Sequence, residues 1–223
     1  GVGAMIDGFK NDKMVFEPGT RWAYNNSGYF LLGAIVEKVS GQPYAKFVEQ
    51  RIFVPLGTTN TAYEGDERGS VAKAAGHTRD GDAFKPGQPI HMSQPYAAGA
   101  LVSTADDMAR WGAAVAAVKL LKASSWQQAF TPYKLANGES TNYGYGWETG
   151  KLMGNDKVSH GGAINGFKAY TLRVPAKDVF VAVLTNADSG LAGADMVAYK
   201  AAAVAMGTPF PQYKPVTLAP AAM

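Results

Sequence analysis

Cysteine is absent from all 223 residues. That excludes disulfides, zinc–thiolate and iron–sulfur sites, and a cysteine nucleophile. Histidine is scarce: only His77, His91 and His160 occur, which leaves little for a histidine-rich metal site. No metal and no cofactor are expected. No run of about 18 apolar residues exists, so no membrane-spanning helix is expected. Charge is thin as well. Charged residues make up 17% of the chain, and 21 basic against 18 acidic side chains leave a net charge of +3. No block of like charge stands out, which argues against a nucleic-acid partner. The first residues, Gly1-Val2-Gly3-Ala4-Met5, lack the basic and apolar regions of a signal peptide and do not start with Met. On sequence grounds the chain reads as processed, or as a piece of something longer.

What is present is a globular share of apolar residues, 47%, cut into short elements by 26 Gly and 12 Pro. Residues 1–25 read as loop and turn, with Pro18-Gly19 as a turn. Phe30, Leu31, Ala34, Ile35 and Val39 recur at helical spacing, with Asn26 or Ser27 as cap and Gly41 as stop. A second helix is expected from Pro43 to Ile52, with Tyr44, Phe47, Val48 and Ile52 as its buried stripe. Residues 58–100 show no sustained period and read as an ordered functional loop region. Thr104 and Asp107 form a capping signature, followed by Met108, Trp111, Val115 and Val118 on one helical face. A further short helix is expected from Ser124 or Ser125.

Near Tyr143 the period changes. Tyr145–Lys151 and Lys157–His160 look like paired strands around a turn at Met153–Asp156. Phe167–Val174 and Val179–Thr185 are strands joined by Pro175-Ala176-Lys177-Asp178. Ala194–Met206 reads as a closing helix, and the tail from Pro209 as irregular. Helices, then an antiparallel meander, then a helix argue an α+β fold: a helical and loop region over 1–142, sheet and closing helix over 143–208, and a tail over 209–223.

Three stretches carry candidate chemistry. In Tyr24-Asn25-Asn26 a phenol beside a cation can shuttle a proton, and an Asn carboxamide offers both donor and acceptor to a substrate amide. On spacing alone the plainer reading, Tyr24 in the core and Asn26 as a cap, weighs more. In His160-Gly161-Gly162-Ala163 the glycines suit close backbone approach to a ligand, and a free N–H beyond them suits an oxyanion. Alone, that segment reads more simply as a turn with a solvated histidine. Ser70-Val71-Ala72-Lys73 fits the Ser-x-x-Lys nucleophile pattern, but so short a pattern recurs by chance.

Taken in order, the motifs form a set: Pro18-Gly19-Thr20, Tyr24-Asn25-Asn26, Leu31-Leu32-Gly33, Ser40-Gly41, Pro55-Leu56-Gly57 and Thr61. After them come Ala97–Met108, Tyr143-Gly144-Tyr145-Gly146-Trp147, His160-Gly161-Gly162 and Leu184-Thr185-Asn186. The set resembles the serine hydrolases related to class C β-lactamases and penicillin-binding proteins, across nearly the whole chain. The resemblance implies a β-lactamase/transpeptidase-like fold and an acyl-enzyme acting on esters, amides or peptides. It implies that Tyr24 transfers protons and that Asn26 binds the substrate carbonyl or amide. His160, Gly161 and Gly162 would hold the place of the third motif, and Ala163 N–H would be one of two oxyanion donors. A His where β-lactamases carry Lys implies a preference for short esters and small D-amino-acid amides or peptides over β-lactams. A bacterial, periplasmic or secreted protein fits the resemblance, although the sequence fixes no compartment.

One feature departs from the family pattern. There Ser-x-x-Lys precedes Tyr-x-Asn, whereas here no Ser precedes Tyr24 and Ser70–Lys73 follows it, so Ser70–Lys73 reads as a decoy. The chain is therefore expected to be the C-terminal part of such a hydrolase, its N-terminal strands and nucleophile missing, and inactive alone. Its expected partner is its own N-terminal fragment carrying Ser-x-x-Lys, or else a second copy. The alternative is a non-catalytic module that binds a ligand or partner in the same cleft.

Overall fold

The computed structural model describes residues 1–64, 73–189 and 193–211. The expected irregular tail from Pro209 and the serine of Ser70–Lys73 fall largely or wholly outside them. The first 25 residues are not all loop: Val2–Phe9 forms a helix, α1, although no residue of it is buried. Its two interior glycines weaken the helical signal, and no core face organises it.

Helix α2, Asn26–Ser40, is capped by Asn25, whose side chain accepts from Gly28 N–H at 3.1 Å. The expected cap, Asn26 or Ser27, is thus one or two residues too late, and Asn26 opens the helix with its carboxamide free of the capping role. Gly41 ends α2 in the left-handed conformation. The helix buries Phe30 and Gly33 against a 3-10 turn at Tyr96–Ala98. A Cβ on Gly33 would lie 2.4 Å from that of Ala97, so the close approach requires glycine. The opposite face, with Leu31, Leu32, Ile35 and Val39, stays exposed.

Helix α3, Tyr44–Val48, runs through a π-helical turn at Glu49–Phe53 into a last turn, α4, Val54–Leu56. The wider turn brings Phe53 into the core and leaves Ile52, the expected core residue, only half-buried. The stretch 58–100 is more regular than its composition suggests. Strand β1, Ala62–Tyr63, pairs with β4, Leu101–Val102, and β2, His77–Asp80, forms a hairpin with β3, Ala83–Pro86. Thr104 caps α5, Ala105–Ala116, by accepting from Asp107 N–H. That helix buries Asp107, Gly112, Ala114 and Val115, whereas Val118 lies beyond its end and is exposed. Helix α6, Ala123–Phe130, stacks Trp126 on Phe130, and both join Trp111 and Trp147 in an aromatic cluster.

The main sheet is antiparallel, in the order β5 (Glu148–Leu152), β6 (Asn155–Ile164), β7 (Phe167–Val174), β8 (Val179–Thr185). The alternation of side chains gives it two apolar faces. On one, Leu152, Leu172 and Val174 are buried under Ala194, Ala198 and Ala202 of α7, Ala194–Ala205. Small residues every fourth position let this helix lie close to the strands. On the other face Phe180 packs on Gly112 of α5, where a Cβ would come within 2.4 Å of its ring. Among the described residues, β8 forms one edge of this sheet.

Candidate active site

The candidate site lies where the segment before α2 comes beside the middle of β6. Gly19 turns with φ +80°, and its carbonyl accepts from Ala136 N–H at 2.8 Å. This ties the segment to the loop that leads through Tyr143 into β5. The rings then converge. Trp22 lies 5.3 Å from Tyr143, Tyr24 lies 6.1 Å from Tyr143, and Tyr24 lies 5.9 Å from His160, centroid to centroid. Tyr24 and His160, 136 positions apart by number, therefore share one site. Tyr24 is 52% exposed, so the core-aromatic reading of it fails. Asn26 is also exposed, at the start of α2 just beyond Tyr24.

The sequence suggests a strand ending at His160. In the structure β6 continues through Gly161-Gly162-Ala163 to Ile164, because β7 pairs with it residue by residue to Ile164↔Phe167. The two-residue turn at Asn165-Gly166 makes that last pair a hydrogen-bonded one. Pairing alternates from there. His160 and Gly162 direct their backbone groups toward β7, while Gly161 and Ala163 direct theirs to the opposite edge. On that edge the ladder with β5 has already ended, at Glu148↔Ser159. Ala163 is itself exposed, and among the described residues no strand pairs with β6 on that side beyond Ser159.

The glycines have separate reasons. A Cβ on Gly161 would press on the Tyr170 ring at 3.1 Å, whereas one on Gly162 would meet nothing within 4 Å. Gly161 lets Tyr170 pack closely below the sheet, and Gly162 leaves open space on the His160 face. Beyond the turn, Gly166 approaches the β2–β3 hairpin so closely that its Cβ would lie 2.8 Å from Gly76 Cα. Gly166 N–H donates to Asp188 Oδ2 at 2.8 Å, and its carbonyl accepts from His77 N–H at 3.2 Å. The unpatterned stretch after residue 58 thus holds the end of β6 in place.

Tyr143 is a neighbour of His160 that the motif contained without assigning it a role. It is 8% exposed, and its hydroxyl lies 2.7 Å from His160 Nε2. Burial pushes its phenol far above the ordinary value, with Tyr29, Tyr24 and Glu148 adding to the effect. Tyr29 is also raised by burial, partly offset by hydrogen bonding with Tyr143 and the Gly146 backbone. Tyr143 is brought to His160 through its bridge to Glu148, which in turn pairs with Ser159.

A second missed constellation lies directly beneath. Lys157 Nζ donates to Ser159 Oγ at 2.8 Å, and Tyr170 OH donates to the same oxygen at 3.0 Å. Ser159 is wholly buried on the α7 face, so this Ser–Lys pair is turned away from the cleft. Of Ser70–Lys73, Lys73 is described: it pairs with Glu64 and lies 5.1 Å over the Phe167 ring. Among the described residues, no group of three or more metal-ligating side chains occurs. No helix among them is long and apolar enough to cross a membrane.

Residues 3–206 match the protein family described as Beta-lactamase. The chain is 24% identical over 93% of its length to a D-aminopeptidase of Gluconobacter oxydans, covering 41% of that protein. It is 30% identical over 71% of its length to penicillin-binding protein 4* of Bacillus subtilis, covering 38% of it. It therefore spans about two-fifths of the length of these curated relatives. Among solved structures, an octameric penicillin-binding protein homologue from Pyrococcus abyssi superposes with a TM-score of 0.80 at 29% identity, over 93% of this chain and 48% of that one. A D-stereospecific amidohydrolase from a Streptomyces species gives 0.71 at 26%, over 84% of this chain and 57% of that one. With the ordered motifs, the antiparallel sheet and the converging Tyr24 and His160, these matches establish that the chain belongs to the Beta-lactamase family.

Proposed function

We propose that this chain is the part of a serine hydrolase that binds substrate and moves protons, with the nucleophilic serine supplied by a Ser-x-x-Lys segment outside it. The approach of Tyr24 to His160 on β6, with Asn26 exposed at the start of α2 two residues on, supports this reading. The serine attacks an ester, amide or peptide carbonyl, the leaving group departs with a proton, and water then releases the acyl group. Tyr24 passes that proton between the serine and the leaving group. Asn26 binds the substrate carbonyl or amide, Ala163 N–H receives the developing oxyanion, and His160, Gly161 and Gly162 shape the floor. The names of the D-aminopeptidase and the D-stereospecific amidohydrolase support small D-amino-acid amides and peptides, beside short esters, as substrates. His160 in place of a permanent cation disfavours the carboxylate of a β-lactam.

The exposed apolar face of α2 and the edge position of β8 among the described residues support a complementing segment. Its first candidate is the N-terminal fragment with the nucleophile, its second another copy of this chain. The test is a fluorophosphonate probe applied to the native assembly, read by intact mass and followed by ester and cephalosporin turnover. The label is expected on a polypeptide outside residues 1–223, with ester turnover well above cephalosporin turnover. A label on Ser70 would overturn the placement of the nucleophile. No label on any polypeptide would favour the alternative, a cleft that binds without catalysing.

A further inference from the structure

The contact between Tyr143 OH and His160 Nε2, at 2.7 Å, can be made in two ways. The phenol donates to a bare Nε2, or an Nε2–H donates to the phenol oxygen. Acid–base order separates them. A phenol titrates near pH ~10. It gives its proton to a hydrogen bond more readily than a neutral imidazole N–H does, and a bare imidazole nitrogen is the stronger acceptor. Burial among Trp22, Tyr24 and His160 also keeps Tyr143 in its protonated form, and its other hydrogen-bonding neighbour, Tyr29, carries an O–H of its own to donate to the Tyr143 oxygen, so the Tyr143 O–H can go to His160. The tautomer of a histidine is set by the hydrogen bond its other nitrogen makes.

We propose that Tyr143 is a positioning residue whose O–H occupies Nε2 of His160, holding the neutral ring in the Nδ1–H form with a single donor and no free basic nitrogen. The inference rests on the proposed function in placing His160 at the substrate edge. A ring held this way recognises an uncharged acceptor oxygen, such as an ester or amide carbonyl. It does not take up the leaving-group proton, which leaves proton transfer to Tyr24. The specificity for carbonyl oxygen over carboxylate thus originates one residue behind the histidine, in Tyr143.

The chain has only three histidines, so the ¹⁵N signals of the imidazoles can be separated in the full 223-residue protein. His160→Gln identifies the signal by its loss. Above the histidine titration, wild-type His160 is expected as Nδ1–H, against the Nε2–H form that an unrestrained histidine favours. Tyr143→Phe is expected to return it to mainly Nε2–H. An Nε2–H wild-type ring would overturn the proposal, and so would an Nδ1–H ring that Tyr143→Phe leaves unchanged. If the Phe variant does not fold, the wild-type tautomer alone decides. The measurement needs no nucleophile and no substrate, so a failed fluorophosphonate experiment leaves its result standing.

Discussion

The two faces of β6 both carry polar and aromatic side chains, but arrange them in opposite ways. On the face toward α7, Lys157, Ser159 and the Tyr170 opposite Gly161 form a closed network. Ser159 Oγ receives from Lys157 and Tyr170 and lies 3.3 Å from Glu148 Oε2, and Tyr170 OH lies 3.2 Å from Tyr199 OH. On the cleft face, His160 meets Tyr143 and Tyr24, and Gly162 leaves space. One face has a serine, a lysine and tyrosines with their hydrogen bonds spent on each other and no route for a substrate. The other has a histidine and a half-exposed tyrosine at an open edge. Tyrosine is common to both; free hydrogen-bonding capacity and access separate them.

The sharpest way to break this comparison is to remove one hydroxyl on each face. Tyr24→Phe in the complete enzyme should lower turnover by roughly 10²–10⁴-fold, the range of a proton-transfer group. Thermal unfolding should barely change, because Tyr24 is 52% exposed and loses only an oxygen. Intact turnover together with a lowered melting temperature would return Tyr24 to a packing role.

Ser159→Ala should do the reverse. It leaves Lys157 Nζ and Tyr170 OH without their shared acceptor in a buried setting, at a cost of about 1–3 kcal/mol. For a chain of this size that lowers Tm by several degrees, about 2–4 °C per kcal/mol. Turnover, measured well below the new melting temperature, should stay near wild type. A loss of turnover as large as that of Tyr24→Phe would show that the network beneath the sheet is part of the chemistry.

The same two faces show what was legible in the sequence. Strands β7 and β8 appear where the pattern put them, Phe167–Val174 and Val179–Thr185, because turn residues bound both and alternation runs through both. Strand β6 was cut short at His160, since paired glycines read as a break. Only the partner strand, which lies later in the chain, keeps Gly161–Ile164 extended. The β2–β3 hairpin was invisible for a related reason: all of β3 is exposed, so no apolar alternation marks it, and its place is set by contacts with Gly166 and Asn186. Tyr24 and His160 could be named as candidates, but their proximity came from ordered motifs, not from any local pattern. Tyr143 is a long-range case too, since nothing near position 143 announces a histidine 17 residues later.

The smallest expected effect lies where the two faces end, at the Asn165-Gly166 turn. Asp188 accepts there from Thr78 Oγ1 at 2.7 Å and Gly166 N–H at 2.8 Å, and from Ser189 Oγ at 3.1 Å. These bonds, that of Thr78 foremost and then that of Gly166, hold its carboxyl below the ordinary carboxylate value, with Lys168 assisting. The folded value is thus below that of the unfolded chain. The stabilisation is complete above pH ~4, where an unfolded Asp is ionised. It fades as pH falls through the folded value, when the protonated carboxyl no longer accepts fully from the turn. Because Asp188 is only half-buried, water and salt still weaken the contribution, and the effect should be modest. Asp188→Asn should therefore lower Tm slightly at pH 7, with a gap to wild type that narrows between about pH 4 and pH 2. Melting curves at stepped pH measure that gap. If the two proteins lose Tm in parallel from pH 7 to pH 2, Asp188 does not clamp the turn through its charge. The end of β6 would then be held by its pairing with β7, the His77 N–H bond to Gly166 and the close glycine contacts at Gly76 and Gly166.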